Sequence, residues 1–202
     1  MRCLTENIAD FTQGALVGAE CGYNEGLKHI GKGITCQIME KAAQKLHYHE
    51  ISDRFRFSFI LGLPWETKKE VEKTIRFAAH LLGEYGVSLV LQWYCQIPGS
   101  HLWQKFRNDQ LVNETMYDHY GFFRDLYLFR SGVHLTPQEI WEIDDTLSKL
   151  IWISEMRYPK KKMLLSQIPL PIAIQFPREI FNEDDAGLNS LRQLSHSASA
   201  IK

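Results

Sequence analysis

The chain has 202 residues, and its 23 lysines and arginines nearly balance 24 aspartates and glutamates, for a formal net charge of -1. That balance excludes a basic nucleic-acid surface spread over the whole domain, and a hydrophobic content of 45% excludes global disorder. No apolar run reaches the roughly 18 residues of a membrane span, and residues 1–20 carry Glu6 and Asp10 in place of a secretory apolar core. Cys3, Cys21, Cys36 and Cys95 are few and widely spaced, as suits a reducing compartment, so the expected location is cytoplasmic.

Taken in chain order, three apolar runs of strand length are each followed by a turn. Ala15–Ala19 is the first; a turn-like stretch leads from it to Gly33 and then to a helix over 35–48. Ile38, Ala42 and Leu46 repeat there at helical spacing, with Thr35 as the N-cap. Phe55–Leu61 is the second run, closed by Gly62-Leu63-Pro64. The helix after it, over 68–82, opens on the capping box Thr67-Lys68-Lys69-Glu70 and presents Val71, Ile75, Ala78, Leu81 and Leu82 on one face. Val87–Tyr94 is the third run, ending in Ile97-Pro98-Gly99-Ser100.

Strand, turn and helix recurring at offsets of about 40 and 32 residues read as βα units of a parallel sheet. The near-continuous apolar runs predict strands covered on both faces. Past residue 105 the pattern changes. An aromatic stretch over 114–130 (Tyr117, Tyr120, Phe122, Phe123, Tyr127, Phe129) reads as helical core. A second capping box, Thr136-Pro137-Gln138-Glu139, starts a helix to about 157 with Ile140, Ile143, Leu147, Leu150 and Ile151 on one face. Lys160–Lys162 reads as a solvated run. The expected division is a barrel-like part over 1–105, a helical extension over 106–160 and an irregular tail over 161–202.

In parallel α/β folds ligands bind where the strand ends and βα loops converge. Three loops qualify: Gly18–Gly22 continuing to Lys28 and Gly31-Lys32-Gly33, then Gly62–Thr67, then Gln96–Ser100. A carboxylate such as Glu20 can accept from a ligand's hydroxyl pair, and Lys32 can neutralise a ligand carboxylate. The plainer readings are a salt bridge for Glu20, a solvated loop lysine for Lys32 and a charge at a helix N-terminus for Glu66. His47 and His49 could pair on a metal, although a helix-end histidine pair is the commoner arrangement. His119 and His134 are expected as packing or surface residues, and Cys36 and Cys95 as small apolar core residues.

The words themselves carry more than their spacing. Gly18-Ala19-Glu20-Cys21-Gly22, Lys28–Thr35, Phe57–Thr67, Lys73–Ala78 and Pro98-Gly99-Ser100 together closely resemble the second half of the core domain of the radical SAM superfamily. The likeness is to the branch often associated with a cobalamin-binding domain, and it covers residues 14–104. It implies a partial (β/α)6 TIM-like barrel of about three parallel βα units, with a mainly helical C-terminal extension. By position, the resemblance puts Glu20 near the ribose or amino-acid part of S-adenosylmethionine and Lys32 near its carboxylate. Ile60 and Gly62 would lie on the adenine side, and Gln96 and Pro98 would contact the adenine. Cys21, Tyr23 and Trp65 depart from the family's usual small residues, and a bulky Trp65 on the turn puts the usual backbone path there in question.

The family's iron–sulfur cluster needs Cys-x3-Cys-x2-Cys, and none of the four cysteines forms such a triplet. The expectation is therefore the C-terminal part of a radical SAM enzyme that binds S-adenosylmethionine, acts on a small organic substrate and is inactive alone. A missing N-terminal barrel half, or a separate cluster-bearing chain, would complete it; a bound cobalamin is compatible with the branch. The alternative is a non-catalytic binding or assembly module, or a truncated remnant. Anaerobic reconstitution of these 202 residues is expected to give no stoichiometric iron–sulfide absorption band; such a band with S-adenosylmethionine cleavage would overturn the expectation.

Overall fold

A computed structural model describes residues 14–94, 97–101, 103, 104, 134–158 and 160–167. Three strands form one parallel sheet in the order β1 (Ala15–Glu20), β2 (Phe55–Leu61), β3 (Ser88–Trp93). Between β1 and β2 lie α1 (Asn24–Ile30) and α2 (Cys36–Tyr48), and β2 connects to β3 through α3 (Lys68–Tyr85). Helices α4 (Pro137–Ser154) and α5 (Lys160–Gln167) follow. None of these helices is long and apolar enough to cross a membrane.

Local chemistry accounts for the element ends. Thr67 and Glu70 close a reciprocal capping box at the start of α3, and the Thr67 hydroxyl holds the Glu70 carboxyl below its ordinary range. Gly86 ends the same helix at φ 72, a left-handed conformation that costs glycine no Cβ clash. Thr136 and Glu139 repeat the capping box on α4 behind Pro137. On α2 the Thr35 hydroxyl accepts the Ile38 N–H at 3.3 Å.

The core lies between one face of the sheet and α3. Phe57, Phe59 and Leu61 of β2 are fully buried, as are Val71, Ile75, Ala78, Leu81 and Leu82 of α3. Phe59 meets Phe77 edge to face at a centroid distance of 6.2 Å. Helix α4 runs antiparallel to β3: Trp93 donates to Asp144 at one end of the strand, and Ser88 donates to the Ser154 carbonyl at the other. Its expected apolar face is buried at Ile140, Ile143, Leu147 and Leu150, with Ile151 half-buried.

Several expectations need correction. Among the described residues the strands are covered on one face only: β2 alternates buried Phe55, Phe57, Phe59 and Leu61 with exposed Arg56 and half-buried Ser58 and Ile60. Leu16 and Gln92 share that second face and are exposed. The helices pack on the phenylalanine side, and no described element seals the other. The stretch before Gly33 contains α1, a helix too short for its periodicity to register.

On α2 the buried stripe is Cys36, Met39 and Ala43, whereas Ile38 and Ala42 are exposed and Leu46 is half-buried. Both stripes have helical spacing, and packing against α3 through Glu40, His80 and Tyr85 decides between them. Residues 161–167, at the start of the expected irregular tail, are helical. Cys3, Cys95, His119 and the 114–130 aromatics lie outside the described residues.

Lys161 is the largest correction. It is buried to 1% exposure, and its ammonium donates to the Gly86 carbonyl at 2.8 Å, the Val87 carbonyl at 3.4 Å and the Ser88 hydroxyl at 3.3 Å. Burial pushes its pKa down, while three acceptors at the end of α3 and the start of β3 hold the cation in place. It pins α5 to the N-terminal edge of the sheet. Lys161→Ala is expected to cost about 3 kcal/mol of unfolding free energy in a urea titration, the sum of lost stem packing and orphaned acceptors. Lys161→Met should recover only the packing part.

Candidate functional site

The strand ends carry the chemistry. β1 bulges between Gly18 and Glu20, and Glu20 adopts φ 65, a left-handed conformation unusual for a side-chain-bearing residue. The Glu20 carboxylate then folds back over Gly18 on the uncovered sheet face. A Cβ at Gly18 would lie 2.9 Å from Glu20 Oε1 and 3.3 Å from Lys32 Nζ, so glycine is what leaves room for the pair. Lys32 Nζ sits 3.0 Å from Glu20 Oε1 and donates to the Gly18 carbonyl at 3.3 Å. Both side chains stay partly open to solvent, at 35% and 22% for Lys32 and Glu20 respectively.

The structure thus brings two of the expected site residues together, in the salt bridge that was the plain reading for Glu20. Lys32 is no free loop lysine. Ile60 lies on the same uncovered face, half-buried, and pairs in register with Gln92 of β3. Gly62 turns the chain just past β2 at φ 71. Pro98 is exposed in a turn, and no described contact links it to the Glu20–Lys32 pair; Gln96 lies outside the described residues. Of the histidine pair, His47 Nδ1 is engaged with the Tyr85 carbonyl at 3.1 Å and His49 is exposed. Among the described residues no group of three His, Cys, Asp or Glu is arranged to hold a metal ion. His134 is exposed.

Beneath the strand ends lies a buried polar cluster that sequence reasoning did not assemble. Glu66 is fully buried rather than standing in solvent at the head of α3. Its Oε1 accepts the Tyr23 hydroxyl at 3.0 Å and its Oε2 the Leu63 N–H at 2.9 Å, while Tyr23 accepts the Trp65 indole N–H at 3.2 Å. His29 stacks on Trp65 at 4.2 Å. Gly22 seats this segment against α3, where its N–H donates to Thr74 Oγ1 and a Cβ would strike the Thr74 Cα at 2.5 Å.

In the sequence Tyr23 and Trp65 stand out only as departures from a family pattern; 42 residues apart, they give no spacing signal of contact. Trp65 fits its turn because the indole lies across to Tyr23 and His29. Cys21 and Cys36 are both buried. Burial, with the Glu66 charge next, pushes the Cys21 thiol up, and burial pushes Cys36 up to about 12, so both are inert thiols and poor thiolate ligands.

Comparison with known proteins adds one coarse statement. No family model matches the chain. Over 90 residues the sequence is 39% identical to a protein of Pyrococcus horikoshii described as an uncharacterized methyltransferase. That stretch is 43% of this chain and only 18% of the relative.

Burial pushes the Glu66 carboxyl up to about 7, against the Leu63 and Gly62 N–H groups and the Tyr23 hydroxyl, which favour the anion. The folded state therefore binds a proton more tightly than the unfolded chain, whose carboxyl titrates near 4.5. Stability from this group is complete below pH 4.5 and declines as pH rises to about 7, by roughly 3 kcal/mol. Glu66→Gln, which cannot ionise, is expected to flatten that decline in chemical denaturation series run across the window.

Proposed function

We propose that this chain is the C-terminal part of an S-adenosylmethionine-binding (β/α)6 barrel of the radical SAM type, and that its uncovered sheet face holds that cofactor at the strand ends. The observation that carries the reading is the Glu20–Lys32 pair, which lies over Gly18 at the end of β1 on the one face the helices leave open. The likeness to a methyltransferase over 90 residues supports it.

The donor set fits the ligand. Its ribose hydroxyls and ammonium need a carboxylate, which Glu20 offers, and its carboxylate needs a cation, which Lys32 offers. Ile60 gives an apolar surface for a flat base, beside the Gly62 turn just past the end of β2. When bound, S-adenosylmethionine would supply an activated methyl group for transfer to a small organic substrate or, given one electron from a cluster held elsewhere, a 5′-deoxyadenosyl group for hydrogen abstraction from it. The chain's own part is to orient that sulfonium ligand; the Glu20–Lys32 ion pair would open and re-form on the ligand's opposite charges, so little net charge is desolvated.

An iron–sulfur cluster does not fit the described cysteines, which are buried and held as thiols, and no step is routed through one. The reading instead gives the cluster to a partner. β1 has a neighbouring strand on one side only among the described residues, and Leu16 on its open face is 66% exposed. A missing barrel half or a separate cluster-bearing chain would pair that edge and cover that face. The same open edge favours the second reading, an assembly module without catalysis of its own.

Titration calorimetry with S-adenosylhomocysteine, which cannot react, tests the ligand reading. Saturable one-to-one binding is expected, weakened about tenfold in Glu20→Gln and in Lys32→Ala, the loss typical of one charge-assisted hydrogen bond. No heat at millimolar ligand, or wild-type affinity in both variants, would sink it and leave the assembly reading.

A further inference from the structure

The buried Glu66 cluster has no part in the reading above, yet it joins the two turns that reading uses. We propose that Tyr23 and Trp65 are positioning residues which clamp the Glu66 carboxylate and so hold the Glu20–Gly22 turn and the Gly62–Glu66 turn at one fixed separation. The proposal rests on the ligand reading only for what the separation serves.

Three observations carry it. First, every contact of the clamp is directional. Tyr23 donates to Glu66 Oε1 at 3.0 Å, Trp65 donates to Tyr23 at 3.2 Å, and Glu66 Oε2 takes the Leu63 N–H at 2.9 Å. The Glu66 N–H returns to the Leu63 carbonyl at 2.8 Å, so the second turn is already closed by its own backbone. The side-chain bonds therefore add a tie to the first turn and are not needed to make the second.

Second, the Tyr23 ring is seated as well as bonded. A Cβ at Gly26 would lie 2.5 Å from it, and the Lys73 ammonium stands 5.4 Å from its centroid. Third, the first turn holds the strained residue. Glu20 stays at φ 65 only where its surroundings over-determine it. Its own side fixes it through Lys32 and the Cys21 N–H bonded to the Ala19 carbonyl; on the far side the fixed points are Gly22 on Thr74 and Tyr23 on Glu66. An apolar pair would fill the same space without burying a carboxylate, so the directional tie is what the acid adds. The titratable or charged groups facing the clamp are Cys21 and Tyr23 from the first turn, His29 from α1, and Glu70 and Lys73 from α3.

Amide hydrogen exchange on the full chain without ligand tests this, using Tyr23→Phe, which keeps the ring on its seat, and Glu66→Gln. Positioning predicts that Tyr23→Phe speeds exchange at Gly22 and Leu63 together, by about tenfold for one lost buried hydrogen bond, while β2 amides stay protected. Glu66→Gln, which leaves one acceptor oxygen where the carboxylate has two, should speed exchange at Leu63 in the same way. With S-adenosylhomocysteine, Tyr23→Phe should bind about tenfold more weakly. Unchanged exchange at both turns in Tyr23→Phe, or an equal rise throughout β2, would overturn the clamp. The predicted exchange pattern in a chain that binds no S-adenosylhomocysteine would support the clamp and count against the ligand reading alone.

Discussion

Phe57 and Phe59 are fully buried between β2 and α3, and the alternation of a strand sends the residues between them to the opposite side. Once that apolar pair is committed to the helices, Arg56, Ser58 and Ile60 must face away, and the neighbours in register, Leu16, Gly18 and Gln92, go with them. Among the described residues, a sheet with one helix-packed side and one uncovered side goes with this single commitment. The candidate site is a consequence of it, because the Glu20–Lys32 pair lies on the open side at the end where the loops gather.

The two ends of the sheet are built by opposite means. At the N-terminal end, Lys161, Ser88 and Ser154 lock α4 and α5 onto β3 with buried hydrogen bonds, although Glu50 ahead of β2 is also left-handed, at φ 57. At the C-terminal end β1 bulges, Glu20 and Gly62 are left-handed, and the Glu20 and Lys32 side chains stay partly open to solvent. Rigidity below and irregularity above is the division of labour expected where a scaffold positions a site on its loops. The buried Glu66 cluster sits between these regimes. It is polar like the site, but as fully packed as the core, and that position makes it suited to transmit rigidity from α3 to the strand ends.

Much of the fold was legible residue by residue. Both capping boxes, the bounds of β2 and the apolar faces of α3 and α4 follow from local chemistry and from a period of three to four residues. The stripe on α2 was misread because Ile38, Ala42 and Leu46 and the true set Cys36, Met39 and Ala43 satisfy the same period. Only contact with α3 breaks the tie. Lys160–Lys162 looked solvated because three adjacent ammonium groups ordinarily are; Lys161 is buried because three acceptors from a distant turn converge on it.

The sequence alone determined the parallel βα order, the position of the strand-end loops and the identity of Glu20 and Lys32 as the charged groups on them. Those depend on hydrophobic period, turn residues and caps, all of which act within a few residues along the chain. Tertiary structure decided which sheet face stays open, that Glu20 and Lys32 pair over Gly18, and that Tyr23, Trp65 and Glu66 meet. These are contacts between segments 12 to 43 residues apart, and their strength lies in the burial and direction of particular atoms, which a pattern of residue types does not encode.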